Sequence, residues 1–171
     1  MDERTLTILL RLIHILAGIF WVGSVFLIAG FLIPTMRASG PEGGRFVQTL
    51  MERQRLPLYL GVAGALTVLS GAGMYARMVA ATHGAWAGTG PGIAFGVGGL
   101  AAVIGGFTGS MISGPAGRRM GVIGQTVGPG GPSPEQRAEM GRLQARIALG
   151  TKLTAMFLAI AAGAMAIARY L

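Results

Sequence analysis

Four long apolar runs dominate the pattern of the chain, and the polar residues are bunched between them. The first covers 6–33 and reads LTILLRLIHILAGIFWVGSVFLIAGFLI. The others cover 56–75, 91–113 and 149–168. A helix needs about 20 mostly apolar residues to cross a bilayer, and each run supplies them. The pattern predicts an all-α, polytopic membrane four-helix bundle, with 1–171 as a single four-helix transmembrane domain.

The connections read as follows. The first run ends at Pro34, and 38–44 (ASGPEGG) has the composition of a turn. The stretch 45–55 (RFVQTLMERQR) predicts a short amphipathic helix with Phe46, Leu50 and Met51 toward the membrane interface. Pro57 suits the first turn of the second span, and Gly61, Gly64, Gly71 and Gly73 leave that span smooth on several sides. A loop is expected over 78–90. The third span is rich in glycine, with small-xxx-small spacings at Gly92/Gly96 and Gly105/Gly109 that let backbones approach. This places it in the centre of the bundle. The Gly/Pro-rich stretch 114–132 is expected to be a loop. Ser133-Pro134-Glu135-Gln136 then reads as a capped helix start. From there the helical pattern persists to about Tyr170, which is about 55 Å at 1.5 Å per residue. The part with Arg137, Glu139, Arg142 and Arg146 must therefore project beyond a ~30 Å hydrocarbon layer.

Charge gives the orientation. The loops after spans one and three hold ten of the 14 Lys and Arg residues; Arg4, Arg11, Arg77 and Arg169 are on the other side. The positive-inside rule puts both loops in the cytoplasm, both termini outside, and the fourth helix extended into the cytoplasm. Tyr75, Trp86 and Tyr170 then gather at the outer interface. The expected location is a prokaryotic cytoplasmic (inner) membrane, crossed several times. The first run opens with Asp2 and Glu3 and lacks a small-residue cleavage site, so it reads as a retained helix rather than a signal peptide. The expected partners are the lipid bilayer and other membrane subunits or a second copy. The net charge of +8 comes mostly from two loops that topology explains, so no nucleic-acid partner is implied.

Composition also narrows the chemistry. The absence of cysteine excludes disulfides, thiolate zinc sites, iron–sulfur clusters and thiol catalysis. The spans carry no Asp or Glu, and Ser24, Ser70 and Ser110 have no evident acid–base partners. What remains is His14, inside the first span, where an ionisable residue is costly and a functional role is the default expectation. Arg11, His14, Gly18, Trp21 and Val25 fall on one helical stripe. Gly18 leaves a hollow beside the imidazole, Trp21 could wall it, and Arg11 is placed to meet a carboxylate one turn outward. This is a candidate seat for b-type haem held by His14. Copper is the alternative, with His14, Met74, Met78 and His83 as candidate metal ligands. The competing reading is an interhelical hydrogen bond from His14, with Gly18 permitting close packing.

The pattern Leu12-Ile13-His14-Ile15-Leu16 followed by Trp21-Val22-Gly23 resembles the first helix of the copper-resistance D group of four-helix membrane proteins, and of relatives known only as a domain of unknown function. It is also similar to bacterial four-helix protoporphyrinogen IX oxidase, in which a methionine-glutamate-arginine stretch precedes the second helix as Met51-Glu52-Arg53 does here. The resemblance implies a haem or copper ligand at His14. The third span opens on Ile93-Ala94-Phe95-Gly96, where the oxidase has a lysine. An internal repeat is also visible: Pro34-xx-Arg37 recurs 81 positions on as Pro115-xx-Arg118, and Phe95 then corresponds to His14.

Overall fold

Proline shapes the first span. Pro34 has no N–H to give the carbonyl four residues back, and its ring crowds that carbonyl. The helix answers by widening just before it. Glu3–Leu27 is α-helical, Ile28–Leu32 is a π turn with the Ile33 N–H on the Ile28 carbonyl, and Ile33–Ala38 resumes the α form. The third span repeats the device. Gly90–Thr108 is α-helical, Gly109–Ser113 is a π turn closed by the Gly114 N–H on the Gly109 carbonyl, and Gly114–Thr126 continues as α-helix. The two π turns are 81 positions apart, the spacing of the Pro-xx-Arg repeat.

The computed structural model describes residues 2–40, 43, 44, 46, 49–128 and 130–171, with the backbone alone at 52. Four helices in it are long and apolar enough to cross a membrane: Glu3–Ala38, Leu56–Ala81, Gly90–Thr126 and Pro134–Tyr170. These are the four expected spans with their ends moved. The first passes through Pro34, and the second runs on to Ala81 before Gly84, at φ +90°, turns the chain. The expected loop over 114–132 is helical as far as Thr126, because the π turn sets Pro115 in the first turn of a resumed helix. The fourth helix starts at the expected cap, with the Ser133 hydroxyl accepting the Gln136 N–H and the Gln136 side chain accepting the Ser133 N–H. Of the expected amphipathic helix over 45–55, Thr49–Arg53 is a π turn, while 45, 47 and 48 lie outside the described residues.

The spans pack as two antiparallel hairpins, one on two and three on four. In its Gly90–Thr108 segment the third span buries only glycine and alanine (Gly92, Ala94, Gly98, Ala101, Ala102, Gly105). It lies chiefly along the fourth span and is not equally central to all four. Trp21 joins the hairpins: its indole lies against Gly64 of span two and Gly106 of span three, within a core shared with Val25, Ala63, Ala101, Ala155 and Leu158. A second cluster, Ile28, Ile33 and Ala148 with Leu56 beside it, closes the arginine-rich end. At the opposite end Tyr75 meets Trp86 edge-on at 5.3 Å and Trp86 stacks on Phe95 at 6.1 Å. An ion pair between Arg77 and Glu3 ties spans two and one together there.

Candidate functional site

His14 sits in the seam between the first and second spans. Its Nδ1 is 2.8 Å from the carbonyl oxygen of Thr67. A carbonyl only accepts, so Nδ1 carries the proton and, in the neutral ring, Nε2 carries the lone pair. The imidazole reaches the carbonyl because span two has no side chain at the crossing point. A β-carbon on Gly71 would stand 2.8 Å from His14 Cε1 and 3.0 Å from Nδ1, inside contact distance of the ring. Gly71 is thus the floor on which the ring lies.

The hydroxyls around it are already committed. Thr67 Oγ1 donates to the Ala63 carbonyl at 2.7 Å, and Ser70 Oγ donates to the Leu66 carbonyl, one turn back in each case. Ser70 Oγ lies 3.5 Å from His14 Nδ1. This is not a nucleophile–base pair, since Nδ1 is protonated and cannot take a proton from the serine. Among the described residues no buried polar side-chain atom lacks a partner.

The face over Gly18 differs from expectation. A β-carbon on Gly18 would meet the Thr67 methyl at 3.5 Å, so the threonine occupies the hollow reserved for a flat ligand. Trp21, expected as a wall of that hollow, is spent on the junction with Gly64 and Gly106. The open space is elsewhere. A groove of about 440 Å³ runs between spans one and two, lined by Ile13, Leu16, Ala17, Phe20, Tyr59, Val62, Ala63 and Leu66. At 100° per residue its centre is roughly a quarter turn round the helix from His14.

The remaining candidates stand at other levels. Arg11 is exposed, one turn from His14 on the same stripe. Met74 is half-buried one turn beyond Gly71, and Met78 is exposed a further turn along. His83 is exposed in the loop after Ala81, in the left-handed region at φ 50°. Among the described residues no three His, Cys, Asp or Glu side chains come together in a group that could hold a metal ion. Thr67, Ser70 and Gly71 are the residues that sequence reasoning missed as His14's surroundings. Their signal was present: Thr67, Ser70 and Gly71 share a small, polar face on an otherwise apolar helix, the face a partner to a half-buried imidazole needs.

No protein-family model, curated protein or solved structure matches the chain.

Proposed function

We propose that this is a four-helix protein of the prokaryotic cytoplasmic membrane, both termini outside, that binds b-type haem through Nε2 of His14. The hydrogen bond from Nδ1 to the Thr67 carbonyl carries the reading. A ligating histidine characteristically gives its other N–H to a carbonyl or carboxylate, which fixes the tautomer and aims the lone pair. One aimed nitrogen, with no group of three His, Cys, Asp or Glu side chains beside it among the described residues, suits an axial haem ligand better than copper, which wants several soft donors. The apolar groove, about a quarter turn round span one from His14, suits the porphyrin's edge. Arg11 falls on the opposite side of that helix from the groove, so it is not placed to pair a propionate of the same ligand. When bound, such a group supplies one-electron transfer. The chain's own part is to hold the imidazole by Thr67 and Gly71 and keep water away. The resemblance of the first helix to the copper-resistance D group and to the four-helix oxidase favours the same residue.

The absorption spectrum of the purified protein tests this. A Soret band is expected, lost in His14→Ala and also in Val62→Trp, which fills the groove from span two without touching the Thr67 hydrogen bond. A Soret band that survives His14→Ala removes the histidine from the role; one that survives Val62→Trp removes the groove. If the wild type carries no haem after preparation with haem supplied, the second reading takes over: a non-enzymatic subunit of a larger membrane complex. The exposed apolar faces of span one, at Leu12, Leu16 and Ile19, favour that reading. Orientation is tested by fusing a reporter active only in the cytoplasm to the C-terminus, where no signal is expected.

A further inference from the structure

The fourth span carries a cation inside its apolar stretch, and that cation is the starting point. Lys152 is exposed and lies 17 residues before Arg169, about 26 Å at 1.5 Å per residue. In a hydrocarbon layer of ~30 Å with Arg169 and Tyr170 at the far surface, Lys152 is rooted just inside the near surface. Its flexible stem lets the ammonium reach outward toward the headgroups. Arg146 is exposed six residues earlier, about 9 Å further out, so the two cations converge on one level. Neither has a hydrogen bond or ion pair among the described residues.

Helical phase sets Arg146 and Lys152 about 120° apart, at the two edges of an outward face whose middle is Leu149, Met156 and Ile160, which are exposed. The face therefore reads, from the arginine-rich end inward, as Arg142, Arg146, Leu149, Lys152, Met156 and Ile160: three cations at the headgroup end, with Leu149 between the two innermost, leading into an apolar strip. Arg142, also exposed, lies on the same face one turn, about 6 Å, further out than Arg146 and acts on Glu139, while the other cations nearby are differently placed. Arg119 is bonded to Glu139 at 2.8 Å. The Glu139 carboxyl is held below the usual range first by that hydrogen bond, with a smaller contribution from Arg142. Arg137 is nine residues beyond Arg146, about 13 Å further from the membrane.

We infer that the outward face of the fourth span is a binding site for one anionic phospholipid, its phosphate between Arg146 and Lys152 and an acyl chain along Leu149, Met156 and Ile160. The charge and the apolar strip match the two halves of that molecule. A second copy of the chain would bring its own Arg146 and Lys152 against these cations, and like charges would oppose it. The inference does not rest on His14 or on haem.

Native mass spectrometry of the full chain with equimolar phosphatidylglycerol and phosphatidylcholine tests it. Wild type is expected to retain phosphatidylglycerol preferentially. The preference should fall about fivefold in Lys152→Leu and about fivefold again when Arg146→Gln is added, the effect of removing one interfacial charge at a time. Arg137→Gln removes the same charge from the same helix at a distance and should leave the ratio unchanged. Lys152→Leu makes the span more apolar, so folding is not at risk. Equal retention of both lipids, an equal loss in Arg137→Gln, displacement of the lipid by millimolar inorganic phosphate, or a dimer that the variants dissociate would each overturn the site.

Discussion

The two hairpins are built to one plan and closed by different chemistry. Each enters through a span that widens into a π turn before proline, and each crosses its partner at small residues. In the second hairpin Thr154 Oγ1 gives its hydrogen to its own Gly150 carbonyl at 2.9 Å or to Gly105 across the seam at 3.1 Å. In the first, the crossing bond comes from an imidazole lying on Gly71, and the corresponding position in the second is Phe95. The second seam is crossed by hydroxyls, Thr154 and also Ser113, whose Oγ donates to the Ile147 carbonyl at 3.4 Å, and is otherwise packed. A histidine bonded through one nitrogen makes a seam with a second nitrogen to spare. After the role proposed for His14, the second is named the scaffold hairpin and the first the working hairpin.

The largest way to break this comparison is to overfill the scaffold seam. Gly105→Leu would drive a side chain into Phe157, whose Cβ is 3.2 Å from the β-carbon position, and should cost about 3 kcal/mol or more or abolish assembly. Gly99→Leu, six residues earlier in open space, should cost nothing and gain a few tenths to about 1 kcal/mol from helix propensity. Equal thermal stability of the two variants would mean that the third span is not the wall of the second hairpin.

The working seam should break more gently. Gly71→Ala pushes a methyl against the imidazole and should cost about 1–2 kcal/mol in thermal or denaturant unfolding. Gly61→Ala, with nothing near it, should gain a few tenths to about 1 kcal/mol from helix propensity. Converting His14 to the residue found at the corresponding site, His14→Phe, should cost about 1 kcal/mol, the size of an interhelical hydrogen bond in a membrane. Thr154→Val should cost less, because the lost hydroxyl already had a bond within its own helix. If Thr154→Val costs more than His14→Phe, the assignment of scaffold and working seams is reversed.

The smallest effect is electrostatic and confined to the extension of the second hairpin. Glu139 is lowered chiefly by the Arg119 hydrogen bond, and Glu135 by the Ser133 hydroxyl. Folded values below the unfolded ones mean the stabilisation is present at neutral pH, begins to fade near the ordinary glutamate value of 4.5, and is gone once pH has fallen through the lowered values. Amide exchange along Gly114–Thr126 should quicken on acidification through that window, and Arg119→Gln should blunt the change.

Much of this was legible in the sequence. Length and apolarity gave four spans, because a bilayer leaves a backbone few options. The capped start at Ser133 was legible because its side chains do the capping. The helical run from Gly114 to Thr126 was hidden, since glycine and proline there mark a loop unless a π turn intervenes, and nothing in side-chain periodicity announces one. His14 was legible as the odd residue in its span. Its partner was not, because the acceptor is a main-chain oxygen, which every residue has. The hollow at Gly18 was misjudged for a related reason: a glycine marks space on its own helix, and only the packing shows that Thr67 fills it.

The π turns have a further consequence in the language of insertions and deletions. Each inserts one extra residue into an otherwise regular span and so rotates everything beyond it by about 100° relative to an uninterrupted α-helix. Removing a single residue between 28 and 32 would close the bulge without shortening the span by a full turn. It would also swing Ile33 away from the cluster it shares with Ile28 and Ala148, and carry Arg37 to another side of the bundle. The same deletion between 109 and 113 would do this to Ala116 and Arg118. The chain therefore has a reading frame of its own within the membrane, and these two five-residue windows set its phase.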